Sequence, residues 1–221
     1  MEPLLTFAEA RVLGCLLEKE ATTPDAYPLT MAAVIAACNQ TSNRDPVVAF
    51  EESVVDEAIA GLRRKKLAAM LHLAGSRTPK YKHLVSDYFP GLHQPERALL
   101  TVLLLRGTQS AAELKTRTER LHPFPDLEIV ETSLRRLMEW QEGPLVALHP
   151  PGGGRRTATY SPLLYAVGIP STSSSSPSPE TNCLPPAVST ADWRTTMELE
   201  MEALRTRLAA LESALGLTAN P

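Results

Sequence analysis

Apolar residues recur along the chain first at the spacing of a helix and then at the spacing of a strand, and this happens twice. In residues 53–84, Val55, Ile59 and Leu62 fall at i, i+4 and i+7 and share one helix face, which must be buried. The basic run Arg63-Arg64-Lys65-Lys66 closes the helix, favourable against the negative end of its dipole. Residues 67–73 then read as a strand, 74–79 as a loop and 80–84 as a return strand of period two. In residues 126–163, Val130, Leu134 and Leu137 make the same stripe with Arg135-Arg136 at its end, followed by a strand over 144–149, a loop over 150–156 and a strand over 157–162. Helix, strand, loop, strand is the back half of a winged helix-turn-helix.

The preceding segments fit the same unit. Thr6 and Glu9 form a capping box that opens a helix burying Val12, Leu13, Leu16 and Leu17. Tyr27-Pro28-Leu29-Thr30 can make a short first strand and then cap a second helix, over 31–38. A polar loop, Asn39-Gln40-Thr41-Ser42-Asn43-Arg44-Asp45-Pro46, leads on to the third helix and is long for such a connection. In the second copy Pro95 stands at a helix start, and Leu99, Leu100, Leu103 and Leu104 repeat the first stripe. Ser110 and Glu113 make another capping box, and Asp126 caps the third helix. The expected fold is mainly α with small β-hairpins (α+β), with winged-helix domains over 1–90 and 91–167.

From residue 168 the composition changes to Ser, Thr and Pro, which cannot bury a core, so 168–189 is expected to be a disordered linker. Over 190–216 a last helix carries Met197, Met201, Leu204, Leu208, Leu211 and Leu215 at alternating steps of four and three, a heptad seam. Glu200 and Arg207 at g positions complement Arg205 and Glu212 at e positions, which predicts a parallel homodimer through this helix.

Charge narrows the partners. The formal net charge of −3 is spread as −1 over residues 1–90 (10 Lys/Arg, 11 Asp/Glu), +1 over 91–168 (9 and 8) and −3 over 169–221 (3 and 6). No segment is a basic domain, which counts against strong non-specific nucleic-acid binding but leaves room for a local patch. Aromatic residues make up 5% of the chain and leave little for base stacking. Cys15, Cys38 and Cys183 are odd in number and lack Cys-x-x-Cys spacing, so neither a disulfide framework nor a zinc site is expected. The longest uninterrupted apolar run is far below a membrane span, and a cytoplasmic protein without membrane contact is expected.

Metal-hydrolase, phosphate-loop and serine-hydrolase motifs are missing from the sequence. Gly152-Gly153-Gly154 precedes arginines rather than a helix and reads as a wing tip, and His72 and His83 have no further ligands nearby in sequence. The expectation is a non-enzymatic protein with no cofactor. Candidate contacts to double-stranded DNA are Asn43 and Arg44 in the polar loop, Arg63, Arg64 and Lys65 at the helix end, and Arg77, Lys80 and Lys82 on the wing. Arg135, Arg136, Arg155 and Arg156 are their counterparts. Against this, the third helices begin with Glu51, Glu52, Asp56 and Glu57, and with Asp126, Glu128 and Glu131, which phosphate would repel.

Gly14 to Glu20 (GCLLEKE), Thr22 to Pro24 (TTP), Tyr27 to Thr30 (YPLT) and above all Ala37 to Val47 (ACNQTSNRDPV) resemble the YceH-like family of bacterial proteins, as does Leu103 to Ser110 (LLLRGTQS). The resemblance covers roughly residues 4–165. It implies tandem winged-helix domains and carries no activity with it. The leading expectation is DNA binding in transcription regulation. The alternative is a protein-interaction scaffold in which paired winged-helix domains bind an unidentified partner protein, as in chromosome-segregation accessory proteins.

Overall fold

A computed structural model describes residues 4–72, 78–151 and 157–165. They form a mixture of helices and two small antiparallel sheets, an arrangement compatible with the winged-helix expectation. The first half runs α1 (Phe7–Thr22), β1 (Leu29–Thr30), α2 (Met31–Cys38), α3 (Glu52–Arg64), β2 (Ala68–Leu71), β3 (Lys80–His83) and a short α4 (Val85–Tyr88). The second runs α5 (Gln94–Arg106), β4 (Gln109–Ser110), α6 (Ala111–Thr118), α7 (Leu127–Met138), β5 (Val146–His149) and β6 (Thr159–Pro162). The tail helix and the linker lie outside the described residues, as do the seam residues Met197, Met201, Leu204, Leu208, Leu211 and Leu215.

Capping chemistry sets the helix starts. The Thr6 hydroxyl accepts the Glu9 N–H and the Glu9 carboxylate accepts the Thr6 N–H, the reciprocal pair of a capping box. Ser110 and Glu113 repeat it at α6, while Thr30 and Asp126 cap α2 and α7. The two sheets share one strand order, β1-β3-β2 and β4-β6-β5. Tyr81 lies opposite Leu29 and Met70, and Tyr160 lies opposite Gln109 and Leu148. Each tyrosine is buried at the centre of its sheet.

The expected stripes are all internal: Val55, Ile59 and Leu62 on α3, Val130, Leu134 and Leu137 on α7. The expected boundary at residue 90 separates two copies of an element order, but the buried apolar side chains of both copies belong to one continuous cluster. All described residues fall in one compact unit, Met1–Ser171. The reason lies in α1 and α5. From Ala98 to Leu105 every residue of α5 is buried, so this helix is covered all round, by α1 on one side and by α6 and α7 on others. Gly14 allows that approach, because a Cβ there would stand 2.9 Å from Leu105 Cδ2 and 3.2 Å from Leu104 Cβ.

A buried histidine ties α1 to the first sheet. His83 Nε2 lies 2.8 Å from a Glu20 oxygen, and its Nδ1 accepts the Val85 N–H at 3.2 Å. The ring is therefore neutral with its proton on Nε2, since a proton on Nδ1 would face a donor. Burial lowers the His83 pKa below the usual 6.5 and outweighs the opposing pull of Glu20. The unfolded chain then binds the proton more readily than the folded one. The stabilisation is complete above pH 6.5 and is lost as pH falls through the lower folded value. Thermal unfolding followed by circular dichroism should show a midpoint that drops on acidification below pH 6.5, and His83→Gln should flatten that drop. An identical pH profile in the variant would remove His83 as its cause.

Candidate macromolecular interface

The polar loop between α2 and α3 is a brace. The Asn39 side chain donates to the Phe50 carbonyl at 2.9 Å and accepts the Phe50 N–H at 2.7 Å, closing the loop as a strand neighbour would. Arg44 is turned inward and only 4% exposed. Its guanidinium meets both Glu18 oxygens at 3.1 and 2.6 Å, and also donates to the carbonyls of Ala37 and Asn43 and to the Gln40 side chain. Burial acts to lower the Arg44 pKa, but the Glu18 carboxylate outweighs it and the net shift is upward. With every one of its nitrogens engaged inside the protein, Arg44 is withdrawn from the candidate DNA contacts.

Arg11 completes the brace from α1. It is fully buried, donates to the carbonyls of Cys38 (3.2 Å) and Pro46 (2.6 Å), and lies 5.3 Å from the centre of the Phe7 ring. Burial lowers its pKa. A signal for this was present in the sequence: Arg11, Cys15 and Glu18 fall at i, i+4 and i+7, a polar seam on a helix that is otherwise apolar there.

The basic ends of the third helices are partly spent in the same way, with a comparable tie in each half though from different helix positions. Lys65 at the end of α3 pairs with Glu9, the third residue of α1. Arg136 at the end of α7 pairs at 3.0 Å with Glu96, the third residue of α5. Glu9 and Glu96 are buried, so each base neutralises an acid that the fold has removed from water. Lys65 and Arg136 are structural ties first.

Arg63, Arg64 and Arg135 are exposed, as is Asn43, whose backbone is left-handed (φ 58°) and whose side chain accepts from Arg106 at 3.2 Å. On β3, Tyr81 and His83 point inward, while Lys80 and Lys82 on the opposite face are half-buried. Arg77, Arg155 and Arg156 lie outside the described residues. The acidic starts of the third helices face solvent, as do Glu51, Glu52, Asp56 and Glu57 in the first half and Asp126, Glu128 and Glu131 in the second. Among them, at the start of α7, stand Leu127 and Ile129, each 40% exposed. Sequence periodicity missed this pair, because it flagged only the buried stripe.

Among the described residues no three His, Cys, Asp or Glu side chains are grouped to hold a metal ion, and no helix is long and apolar enough to cross a membrane. Fold and surface together define a mixed α and β protein whose accessible features are helix faces and grooves. Residues 5–155 match the family described as a protein of unknown function, DUF480, and the chain belongs to that family. A UPF0502 protein of Pelobacter propionicus is 52% identical over 164 residues, 74% of each chain. One from Opitutus terrae is 43% identical over 203 residues (92% of this chain, 84% of the relative), and one from Shewanella sp. MR-4 is 39% identical over 218 residues, 96% of each.

Proposed function

We propose that the chain is a tandem winged-helix protein that binds a partner protein, using the exposed starts of its third helices. The observation that carries this reading is the start of α7, where Leu127 and Ile129 stand exposed between Asp126, Glu128 and Glu131. In a DNA reader this end of the helix enters the major groove, and carboxylates there would be repelled by phosphate. Apolar side chains ringed by acids suit instead a segment that presents aliphatic and basic residues. The heptad spacing of residues 197–215 supports pairing of two copies, which would offer two such faces and raise avidity for a repeated partner.

Exposed Arg63, Arg64 and Arg135 keep DNA binding as the second reading. A displayed random-peptide library selected on the full chain should enrich sequences combining Lys or Arg with aliphatic residues, and Ile129→Asp should abolish the enrichment. Duplex DNA in a salt series should give no steep dependence. Tight duplex binding that falls steeply with salt, and falls further on Arg63→Ala or Arg135→Ala, would overturn the scaffold reading in favour of DNA.

A further inference from the structure

A groove of about 270 Å³ lies where α1, the polar loop, α5 and α6 meet. Arg106, Arg117 and Arg120 line it together with Asn43. Glu18 also lines it, but both its carboxylate oxygens are taken by Arg44, so its charge is already answered. The threonine hydroxyls at the rim, Thr22 and Thr116, spend their protons on the carbonyls of Glu18 and Ala112. Free donors in the groove are therefore those of the guanidinium groups and the Asn43 side-chain amide.

Those groups are only partly satisfied. Arg106 Nη1 reaches Asn43 Oδ1, but Arg106 Nε is buried and has no hydrogen-bond partner among the described residues. A buried donor without a partner is costly, and Arg11 Nε is left in the same way, so the donors that face the groove are the outer nitrogens of the guanidiniums. Burial lowers the Arg106 pKa and the neighbouring Arg117 lowers it further, while Asp45 and Glu113 offset part of that repulsion. Arg117 is held at 3.3 Å by Glu113, and Arg120 is exposed. Like charges have thus been gathered around a concavity where two carboxylates, Asp45 and Glu113, answer three guanidiniums only in part.

The geometry points to this groove as a binding site for a small phosphate-bearing anion, held by Arg106, Arg117 and Arg120. Guanidinium forks match phosphate oxygens pairwise, and a dianion would relieve the crowding of cations. The volume lies just below the range of about 300–1,000 Å³ that holds drug-sized ligands, which suits a compact ligand. Val102, Leu105 and Leu121 give the groove an apolar wall on which a short organic portion could rest. The polar loop thereby gains a second purpose: bracing by Arg44 neutralises Glu18 and sets Asn43 against Arg106.

Isothermal titration of the full chain with inorganic phosphate, against chloride at matched ionic strength, tests the site without any macromolecule. Its outcome is therefore independent of the partner-protein reading. Saturable phosphate binding is expected, weakened about tenfold by Arg120→Gln or Arg117→Gln, the loss of one charge-assisted contact. Arg120 is exposed, so its variant keeps the fold, which circular dichroism checks. Glycerol 3-phosphate binding more tightly than inorganic phosphate would assign a phosphomonoester, and equal affinity would assign free phosphate. No saturable heat beyond that of chloride, or wild-type affinity in both variants, would overturn the proposal.

Discussion

Replacing Arg44 with alanine should lower the stability of the protein by about 3 to 5 kcal/mol, the cost of leaving one member of a buried ion pair without the other. Glu18 would lose its partner at a site where its side chain is 14% exposed, and the carbonyls of Ala37 and Asn43 would lose a donor. At about 2 to 4 °C per kcal/mol for a chain of this size, the unfolding midpoint should fall by about 10 °C. Arg44→Lys should recover only part of this, because a point charge cannot reproduce the two-pronged contact with Glu18. Combining Arg44→Met with Glu18→Leu should cost less than the two single changes added, since the pair is coupled. Additive losses, or an Arg44→Ala midpoint within a degree or two of wild type, would show that the brace contributes little.

Gly14→Val should cost about 3 kcal/mol, measured as a shift of the urea midpoint. The new side chain would start 2.9 Å from Leu105 Cδ2, where the leucine could yield, but also 3.2 Å from Leu104 Cβ, which moves only with its backbone. Gly14→Ala should be milder, because the better helix propensity of alanine, about 1 kcal/mol, offsets part of the clash. The slope of the transition carries further information. If α1 and α5 hold the halves in one cooperative unit, the valine variant should unfold in a broader transition or in two steps as the halves part. A sharp transition at the wild-type midpoint would mean that the contact between these helices adapts freely.

Most of the framework was legible because it rests on local chemistry. Capping boxes at Thr6 and Ser110, the stripes of α3 and α7, and the return strands at Lys80 and Thr159 depend on neighbours within a few residues. Three short elements escaped: a 3-10 turn (Pro24–Ala26), β4 (Gln109–Ser110), two residues long and polar, and α4 (Val85–Tyr88), a single turn. β4 exists through its pairing with β6, which no local pattern encodes. Interaction candidates fared differently, because a surface charge and a buried one look alike in a sequence. Arg44 and Asn43 are neighbours in the same loop, yet one is internal and the other exposed. The difference is made by Glu18, 26 residues from Arg44. Likewise the Glu9–Lys65 and Glu96–Arg136 ties span 56 and 40 residues, so neither could be read from the basic runs themselves. The union of the two cores was foreshadowed only by the density of apolar residues in α5, at 98–100 and 102–105.

The Leu5 N–H donates to the Leu164 carbonyl at 2.8 Å, and Leu5 bridges Tyr165 in parallel. The point where the chain enters the described fold thus sits beside the point where it leaves, a common property of compact domains. Joining those two points and opening the connection around residue 90 would put the second repeat ahead of the first while leaving every helix crossing where it is. The order in which the repeats are synthesised is then a matter of covalent history, and the packing itself is indifferent to which comes first.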